Sequence, residues 1–249
     1  MEAHEKEKVD CRQILYKRYV TSFKCTNMPA ADPTKWFWKA CKHVYLPLLN
    51  GLKRDNPILE LGCGPGLFMD FLKKRKFSKI EGVDISEEQA QLAIQRGHNV
   101  HLGDAIEFLR TKRETFSAIF AIDFIEHFTL DEVFQLLGLV YSALSELGVL
   151  IIRTPNGEGL FSRGIIYGDL THRTVFTQSS LSQLLQQFNF SDIEFYEFPP
   201  IPMGFRSRVR GEMWKLMKLI ANFCRKVETG HTQKIWTENF VMRCVKHNE

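Results

Sequence analysis

Three glycines at alternate positions, Gly62, Gly64 and Gly66, follow the apolar run Ile58, Leu59 and Leu61, with Glu60 inside the run and Cys63 inside the turn. A buried strand that runs into such a turn, with Leu67 to Leu72 opening a helix, carries backbone close to a nucleotide-like ligand. Glycine tolerates positive φ and has no side chain to hold a ligand off. A tight strand-to-helix connection without a ligand would use the same residues. The carboxylates around the turn add chemistry. Asp84 ends the next apolar run, where an acid can accept from both hydroxyls of a ribose or cap the following helix. Asp104, within Gly103-Asp104-Ala105, ends the run after that and can accept from an exocyclic amine or cap a helix. Glu60 lies between two leucines, so its carboxylate needs a buried partner, either amides of the turn or a cationic group of a ligand.

These residues need a sheet to position them. The pattern predicts strands over Ile58–Leu61, Ile80–Asp84, Asn99–Leu102, Ala118–Ile122 and Val149–Ile152. Helices are predicted between them over Leu67–Arg75, from Ser86 to Gln95 with Gly97 as its stop, over Ala105–Arg110 and over Leu130–Leu147. Alternating strands and helices imply a doubly wound α/β fold with a mostly parallel sheet, whose ligands lie at the carboxyl ends of the strands. After the fifth strand the rhythm loosens. Residues Thr154 to Thr177 read as an active-site loop region, followed by a helix over Ser179–Phe188 and a strand over Asp192–Phe198. Pro199, Pro200 and Pro202 break the chain ahead of a long helix, Arg206–Val227, and a last strand, Ile235–Val245. At the front, a mixed segment over Cys11–Phe23, a turn-rich break from Asn27 to Pro33 and an aromatic helix over Trp36–Leu49 read as a helical cap, with Trp36, Phe37 and Trp38 packed on the sheet edge. The expected organisation is one domain over 1–249. It comprises an N-terminal cap (1–50), a ligand-binding half (51–155) and a C-terminal half (156–249) with a helical insertion about 203–230.

Composition sets limits. Hydrophobic residues make up 44% of the 249, enough for a sizeable core. A net charge of +4 does not by itself imply nucleic acid. Cys11, Cys25, Cys41, Cys63, Cys224 and Cys244 form no Cys-x-x-Cys pair, which suggests a reduced, intracellular set and no zinc. The charged start shows no apolar signal region, and no run is long enough to cross a bilayer. The expected compartment is the cytoplasm.

Glu-Leu-Gly-Cys-Gly-Pro-Gly at 60–66, Gly-Val-Asp at 82–84, Gly-Asp-Ala at 103–105 and a strand Ala118–Ile122 ending in Asp123 occur in the order and spacing of the class I S-adenosylmethionine-dependent methyltransferases. The chain resembles that family over roughly residues 55–155. Its Gly-x-Gly-x-Gly spacing is closer to the methyltransferase form than to the Gly-x-Gly-x-x-Gly of NAD-binding folds. The resemblance implies a Rossmann-like seven-stranded sheet with one antiparallel strand, for which Ile235–Val245 is the natural candidate, and helices on both faces. It implies S-adenosyl-L-methionine as cofactor and S-adenosyl-L-homocysteine as its product. By the family pattern Glu60, Gly62, Cys63, Gly64 and Gly66 hold the methionine end, Asp84 the ribose, and Asp104 with Ala105 the adenine edge. Ile85, Ile122 and Asp123 complete the expected cofactor surroundings.

Methyl transfer from a sulfonium asks the protein to align the acceptor and, for a hydroxyl, to help remove its proton. Two segments offer a base. Asp123-Phe-Ile-Glu126-His127 follows strand four, and His127 can act as base or line the cofactor pocket. With a later histidine, Asp123, Glu126 and His127 also resemble the Glu-x-x-Glu-His metal arrangement of ubiquinone-pathway O-methyltransferases and small-RNA 2′-O-methyltransferases. Asp123 stands where that arrangement has Glu, and no metal is expected. Gly168-Asp-Leu-Thr-His172-Arg173 resembles the Asp-x-Thr-His segment of bacterial methyltransferases of small molecules and cell-surface glycans, in which this loop faces the acceptor. His172 can act as base there or brace the loop, Arg173 can bind an anionic acceptor, and Arg153 with Asn156 can line the cofactor pocket. The leading expectation is therefore methylation of a hydroxyl on a small molecule, glycan or lipid-linked intermediate. The alternatives are a metal-assisted RNA or quinone O-methyltransferase and a non-catalytic binding protein of the same fold.

The helix over 206–227 carries an apolar stripe, Val209, Met213, Leu216, Met217, Ile220, Phe223, Cys224 and Val227, among Arg206, Arg208, Arg210, Lys215, Lys218, Arg225 and Lys226. The stripe can pack on the domain with its charges solvated, lie on an anionic membrane, or bind partner helices or phosphates. Peripheral contact with the inner face of the membrane is the partner expectation this helix adds. Nucleic acid is not expected, because the aromatic and basic clusters that stack single strands are missing.

Overall fold

A computed structural model describes residues 33–247 together with Leu15. The expectations for Cys11–Phe23 and for most of the turn before Pro33 lie outside the described residues. Seven strands form one sheet: β1 Ile58–Leu61, β2 Ile80–Asp84, β3 Asn99–Leu102, β4 Phe116–Ile122, β5 Leu144–Pro155, β6 Phe190–Glu197 and β7 Asn239–Lys246. The spatial order is β3-β2-β1-β4-β5-β7-β6, and β7 runs antiparallel to both of its neighbours. The seven-stranded, mostly parallel sheet expected from the sequence is therefore present. Its antiparallel strand starts at Asn239 and not at Ile235.

Helices cover both faces. Alternating side chains of β1 show why: Ile58 joins a core with Tyr45 and Phe68 from α1 (Pro33–Leu48) and α2 (Leu67–Lys74). Leu59 and Leu61 join the opposite core with Val133, Leu136 and Leu137 from α5 (Leu130–Ala143). Between them lie α3 (Glu87–Gln95) and α4 (Ala105–Leu109). Parallel register aligns the strand ends, pairing Leu61 with Val83, Asp84 with Leu102 and Ile122 with Arg153. The glycine turn, Asp84, Asp104 and Asp123 thus emerge along one edge of the sheet, where strand order reverses between β1 and β4.

Two boundaries differ from the sequence reading for physical reasons. The helix expected over 130–147 ends at Ala143, because Leu144 pairs with Phe116 at the start of β4 and the Ser145 hydroxyl donates to the Phe116 carbonyl at 3.1 Å. Sheet pairing overrides a helical pattern there. The expected loop 154–177 contains a six-residue helix, α6 (Arg163–Gly168). It is followed by α7 (Gln178–Gln186), which starts on a Thr177–Ser180 capping box. Trp36 is partly exposed and tilts against Phe198, while the Lys74 ammonium lies 3.4 Å from the centre of the Trp38 ring.

The long helix α8 (Phe205–Thr229) has no buried residue. Its apolar stripe is not packed on the domain, which removes the first of the three uses its sequence allowed. No helix among the described residues is long and apolar enough to cross a membrane.

Candidate active site

The turn after β1 is held by its own geometry. Gly62, Gly64 and Gly66 take φ values of 67°, 53° and 78°, a region that suits glycine. The three differ in what lies beside them. A Cβ on Gly62 would come within 2.5 Å of the Phe124 ring, and one on Gly66 within 2.7 Å of His98. A Cβ on Gly64 would meet only the Gln89 side-chain oxygen, at 3.5 Å. Gly62 and Gly66 are thus also required by packing, and Gly64 is the position whose open side a ligand would use.

Asp84 fastens this turn. One carboxylate oxygen accepts from the Gly64 amide at 2.7 Å and the other from the Ser86 amide at 2.8 Å. Ser86 sits at the N-cap of α3, yet its hydroxyl makes no capping bond. Asp104 does cap: its Oδ1 accepts from the amides of Ile106 at 2.8 Å and Glu107 at 3.1 Å. This settles the capping half of the alternative posed for Asp104, while Asp104 and Ala105 also line the cavity described below.

Beneath the turn, Glu60 is buried and its Oε2 has no hydrogen-bond partner. Burial pushes its pKa well above the usual carboxylate range, and the neighbouring Asp84 charge adds to the shift. Gln89 Oε1 is a second buried oxygen without a partner, on the wall beside Gly64. A buried acceptor left unsatisfied is costly, so two of them beside an open glycine turn fit a ligand that brings donors. Cys63 is buried too, with its sulfur against Gly82, and burial pushes its thiol up, so it is an inert packing group.

A cavity of about 550 Å³ opens at this edge. Of the residues expected from sequence, Gly62, Gly64, Asp84, Ile85, Asp104, Ala105, Asp123, His127 and His172 line it. Glu60, Cys63, Gly66 and Ile122 do not. Asp123, in left-handed backbone at φ 50°, is taken up by Arg153, whose Nε donates to Oδ1 at 2.6 Å and whose terminal nitrogen bonds Oδ2. Arg153 stacks on Phe198, and Asn156 is fully buried with its amide nitrogen on the Thr237 carbonyl at 3.0 Å, so neither lines the cavity.

At the far end of the same cavity two segments distant in sequence converge. Glu126 and His127 form a short 3-10 turn after β4, whose Glu126 carbonyl accepts the amides of Arg173 and Thr174 at 2.8 and 3.1 Å. That backbone clamp brings His172 beside His127, with ring centres 4.9 Å apart. The Thr171 hydroxyl donates to Asp169 Oδ1 at 2.6 Å and lies 2.9 Å from His127 Nδ1. Since the hydroxyl proton goes to the carboxylate, His127 Nδ1 must carry the proton that fills the second bond, and Nε2 is the basic nitrogen. His172 Nδ1 lies 3.2 Å from the Ile166 carbonyl, which can only accept, so the same tautomer follows. Glu126 is buried and its pKa is pushed up to about 8, chiefly by burial, while the Thr154 hydroxyl bonding Oε2 at 3.0 Å opposes the shift. One ligand atom each from Glu126, His127 and His172 lies within 4.8 Å of the others. Asp123 is not part of that group.

Sequence reasoning missed Gln89, Thr171 and Asp169. Gln89 reads as a routine helix residue. The Asp-x-Thr spacing ahead of His172 carried the signal for the other two, but nothing local tied it to His127.

No curated protein matches the chain. Among solved structures, a SAM-dependent methyltransferase from Archaeoglobus fulgidus is 22% identical with a TM-score of 0.64, covering 86% of this chain and 94% of that one. A Haemonchus contortus phosphoethanolamine N-methyltransferase, in complex with phosphomonomethylethanolamine and S-adenosylhomocysteine, is 17% identical with a TM-score of 0.62, covering 94% of this chain and 60% of that one. The [4+2]-cyclase SpnF is 13% identical with a TM-score of 0.60, covering 95% of each chain. At these identities the likeness is one of fold, and the fold supports more than one chemistry. A family model described as a methyltransferase domain matches residues 36–194, more than half of the chain, and the chain belongs to that family.

Proposed function

We propose that this protein is an S-adenosylmethionine-dependent methyltransferase acting on a hydroxyl of a small molecule, glycan or lipid-linked intermediate. The observation that carries the reading is one cavity with a fastened glycine turn at one end and the Asp169–Thr171–His127 chain at the other. Residues 51–155 hold the cofactor and residues 156–249 supply most of the acceptor side. Bound there, S-adenosylmethionine supplies an electrophilic methyl group on a sulfonium and leaves as S-adenosylhomocysteine. We assign the unpartnered Glu60 Oε2, which lies beneath the turn and off the cavity wall, to the ammonium of its methionine end, Asp84 to the ribose hydroxyls, and Ile85 with Ala105 to the flat apolar surface of a base.

The chain's own work is to orient the acceptor and take its proton. His127 Nε2 receives the hydroxyl proton, and the resulting imidazolium is held by Thr171 and by the Asp169 charge behind it. His172, across from it, orients the acceptor oxygen. The compartment we propose is the cytoplasm, at the inner face of the membrane.

Two expected results test this. The folded protein transfers labelled methyl groups from S-adenosylmethionine into an acceptor in a cell extract and binds S-adenosylhomocysteine in a calorimeter. Failure of both refutes the reading and leaves a fold used for something other than methyl transfer. Glu60 gives the second. Burial raises its pKa and so favours the protonated form in the free protein, whereas a ligand ammonium beside it favours the ionised form. Binding therefore releases a proton, and affinity rises with pH through the range in which free Glu60 still holds its proton. Binding heats that vary with buffer ionisation enthalpy in wild type, and not in Glu60→Gln, are the expected outcome.

The convergence of Glu126, His127 and His172 favours one second reading, a metal-assisted O-methyltransferase. A chelator arm in the same transfer assay separates the two, because the base mechanism keeps full activity in it.

A further inference from the structure

We infer that α8 is an interfacial helix that lays its apolar stripe on an anionic lipid bilayer, an inference that extends the membrane contact proposed above and is independent of the methyl-transfer reading. An amphipathic helix of a globular protein ordinarily turns its apolar stripe to the core. Here the arrangement is reversed. Val209, Met213, Leu216, Ile220, Phe223 and Val227 share one helix face and are between 43% and 74% exposed. The face that meets the body, partly shielded along its length, carries Ser207, Gly211, Trp214, Lys218, Asn222 and Arg225. Polar bonds fasten it. The Lys218 ammonium lies 2.6 Å from Glu197, Asn222 accepts from the Gln233 amide at 2.8 Å, and Arg225 lies 3.5 Å from Glu158. A helix held by its polar side leaves its apolar side outward over about five turns. An outward apolar face of this extent marks an interaction surface.

Charge selects the partner. At 100° per residue Arg206 and Arg210 lie along one margin of the stripe, and Arg208, Lys215 and Lys226 along the other. These five basic residues stand against two acids, Glu212, which pairs with Lys215 at 2.8 Å, and Glu228, while Lys218 and Arg225 are taken up by the body. Cations on both margins of an apolar stripe match the boundary of a bilayer, where acyl chains lie below and anionic headgroups to either side. A second copy of the same helix would bring cationic margins against cationic margins. Arg225 also ties the helix to the segment ahead of α6, because Glu158, which it meets, lies five residues before Arg163. Gly164 and Ile165 of α6 line the cavity, and the neighbouring Tyr167 and Leu170 are 77% and 82% exposed.

The test is flotation of the full chain with vesicles of mixed phosphatidylglycerol and phosphatidylcholine, and with phosphatidylcholine alone. The expected result is binding to the anionic vesicles that weakens several-fold as salt rises from about 0.1 to about 0.5 M, with little binding to the neutral ones. The double variant Leu216→Asp, Ile220→Asp loses at least about tenfold of that binding. The double variant Arg206→Glu, Arg210→Glu loses the preference for anionic lipid. All four positions are exposed, so melting temperature and S-adenosylhomocysteine affinity stay at wild-type values and show that the fold is intact. Three results overturn the inference: no binding to anionic vesicles at low salt, equal binding by the Leu216→Asp, Ile220→Asp variant, or a stable dimer in sedimentation that this variant dissociates. A protein that floats but does not bind S-adenosylhomocysteine keeps this inference and loses the methyl-transfer reading.

Discussion

Replacing Asp84 by Ala is expected to lower affinity for S-adenosylhomocysteine by about 30- to 1000-fold, the worth of one or two hydrogen bonds to a charged group. The same carboxylate gives a second expectation that its position in the sequence does not supply. Asp84 satisfies the Gly64 and Ser86 amides, so its loss strands two donors and loosens the glycine turn. The ligand-free protein should therefore lose about 2–4 kcal/mol, read as a fall in melting temperature of about 5–15 °C for a chain of this size. Sequence alone predicts a cofactor effect with little change in stability, since a ribose-binding acid at a strand end need hold nothing else. Calorimetry and thermal unfolding on one preparation separate the cases. An affinity within about threefold of wild type, alongside the drop in stability, would make Asp84 a turn fastener only.

His127→Ala is expected to lower turnover by about 10²- to 10⁴-fold, the usual worth of a general base. Affinity for S-adenosylhomocysteine should stay within about threefold, because the proposed base acts on the acceptor and not on the cofactor. A purely structural role for the histidine would also reduce activity, so the decisive reading comes from Thr171. Thr171→Val keeps the volume and removes the hydroxyl that links His127 Nδ1 to Asp169. Without it the imidazolium loses its link to the Asp169 carboxylate, so the pKa on the acid limb of the rate profile falls and turnover drops by about 10- to 100-fold. Thr171→Ser restores both. If Thr171→Val slows the reaction without moving the profile, the chain of three residues only braces the loop. His172→Ala, by contrast, should act mainly through the Michaelis constant of the acceptor.

The metal alternative meets the same residues from another side. Its sequence form relied on Asp123, which Arg153 has taken. The group that does converge uses Glu126, whose raised pKa opposes the ionised state a cation requires, although a cation would lower that pKa again. His127 is already committed through Nδ1 to Thr171, so a cation and an acceptor proton would compete for Nε2. This competition is why the chelator arm reports directly on which chemistry the histidine performs.

Much of the cofactor half was legible in the chain. The strands β1, β2 and β3 fall on the residues expected, because each is a short segment closed by glycine or acid and set off by the helix stops before it, signals that are local. Asp84 and Asp104 at strand ends follow from the same punctuation. Legibility failed where distant residues decide. The helix that ends at Ala143 has a pattern good for another turn, and only the pairing of Leu144 with Phe116 shows that the sheet takes the chain first. At Asp104 the sequence posed a cap and a ligand-facing acid as alternatives, and the fold lets one carboxylate both cap α4 and line the cavity.

What the sequence determined by itself is the order of strands and helices and the glycine turn with its acids, since backbone propensity and side-chain period act over a few residues. The tertiary structure decided which residues meet at the far end of the cavity. His127 and Thr171 meet because the Glu126 carbonyl clamps the amides of Arg173 and Thr174 across the gap. It also decided the direction of α8. Helical spacing defines an apolar stripe on any helix but not where the rest of the molecule lies, and here polar bonds from Lys218, Asn222 and Arg225 hold the opposite face to the body.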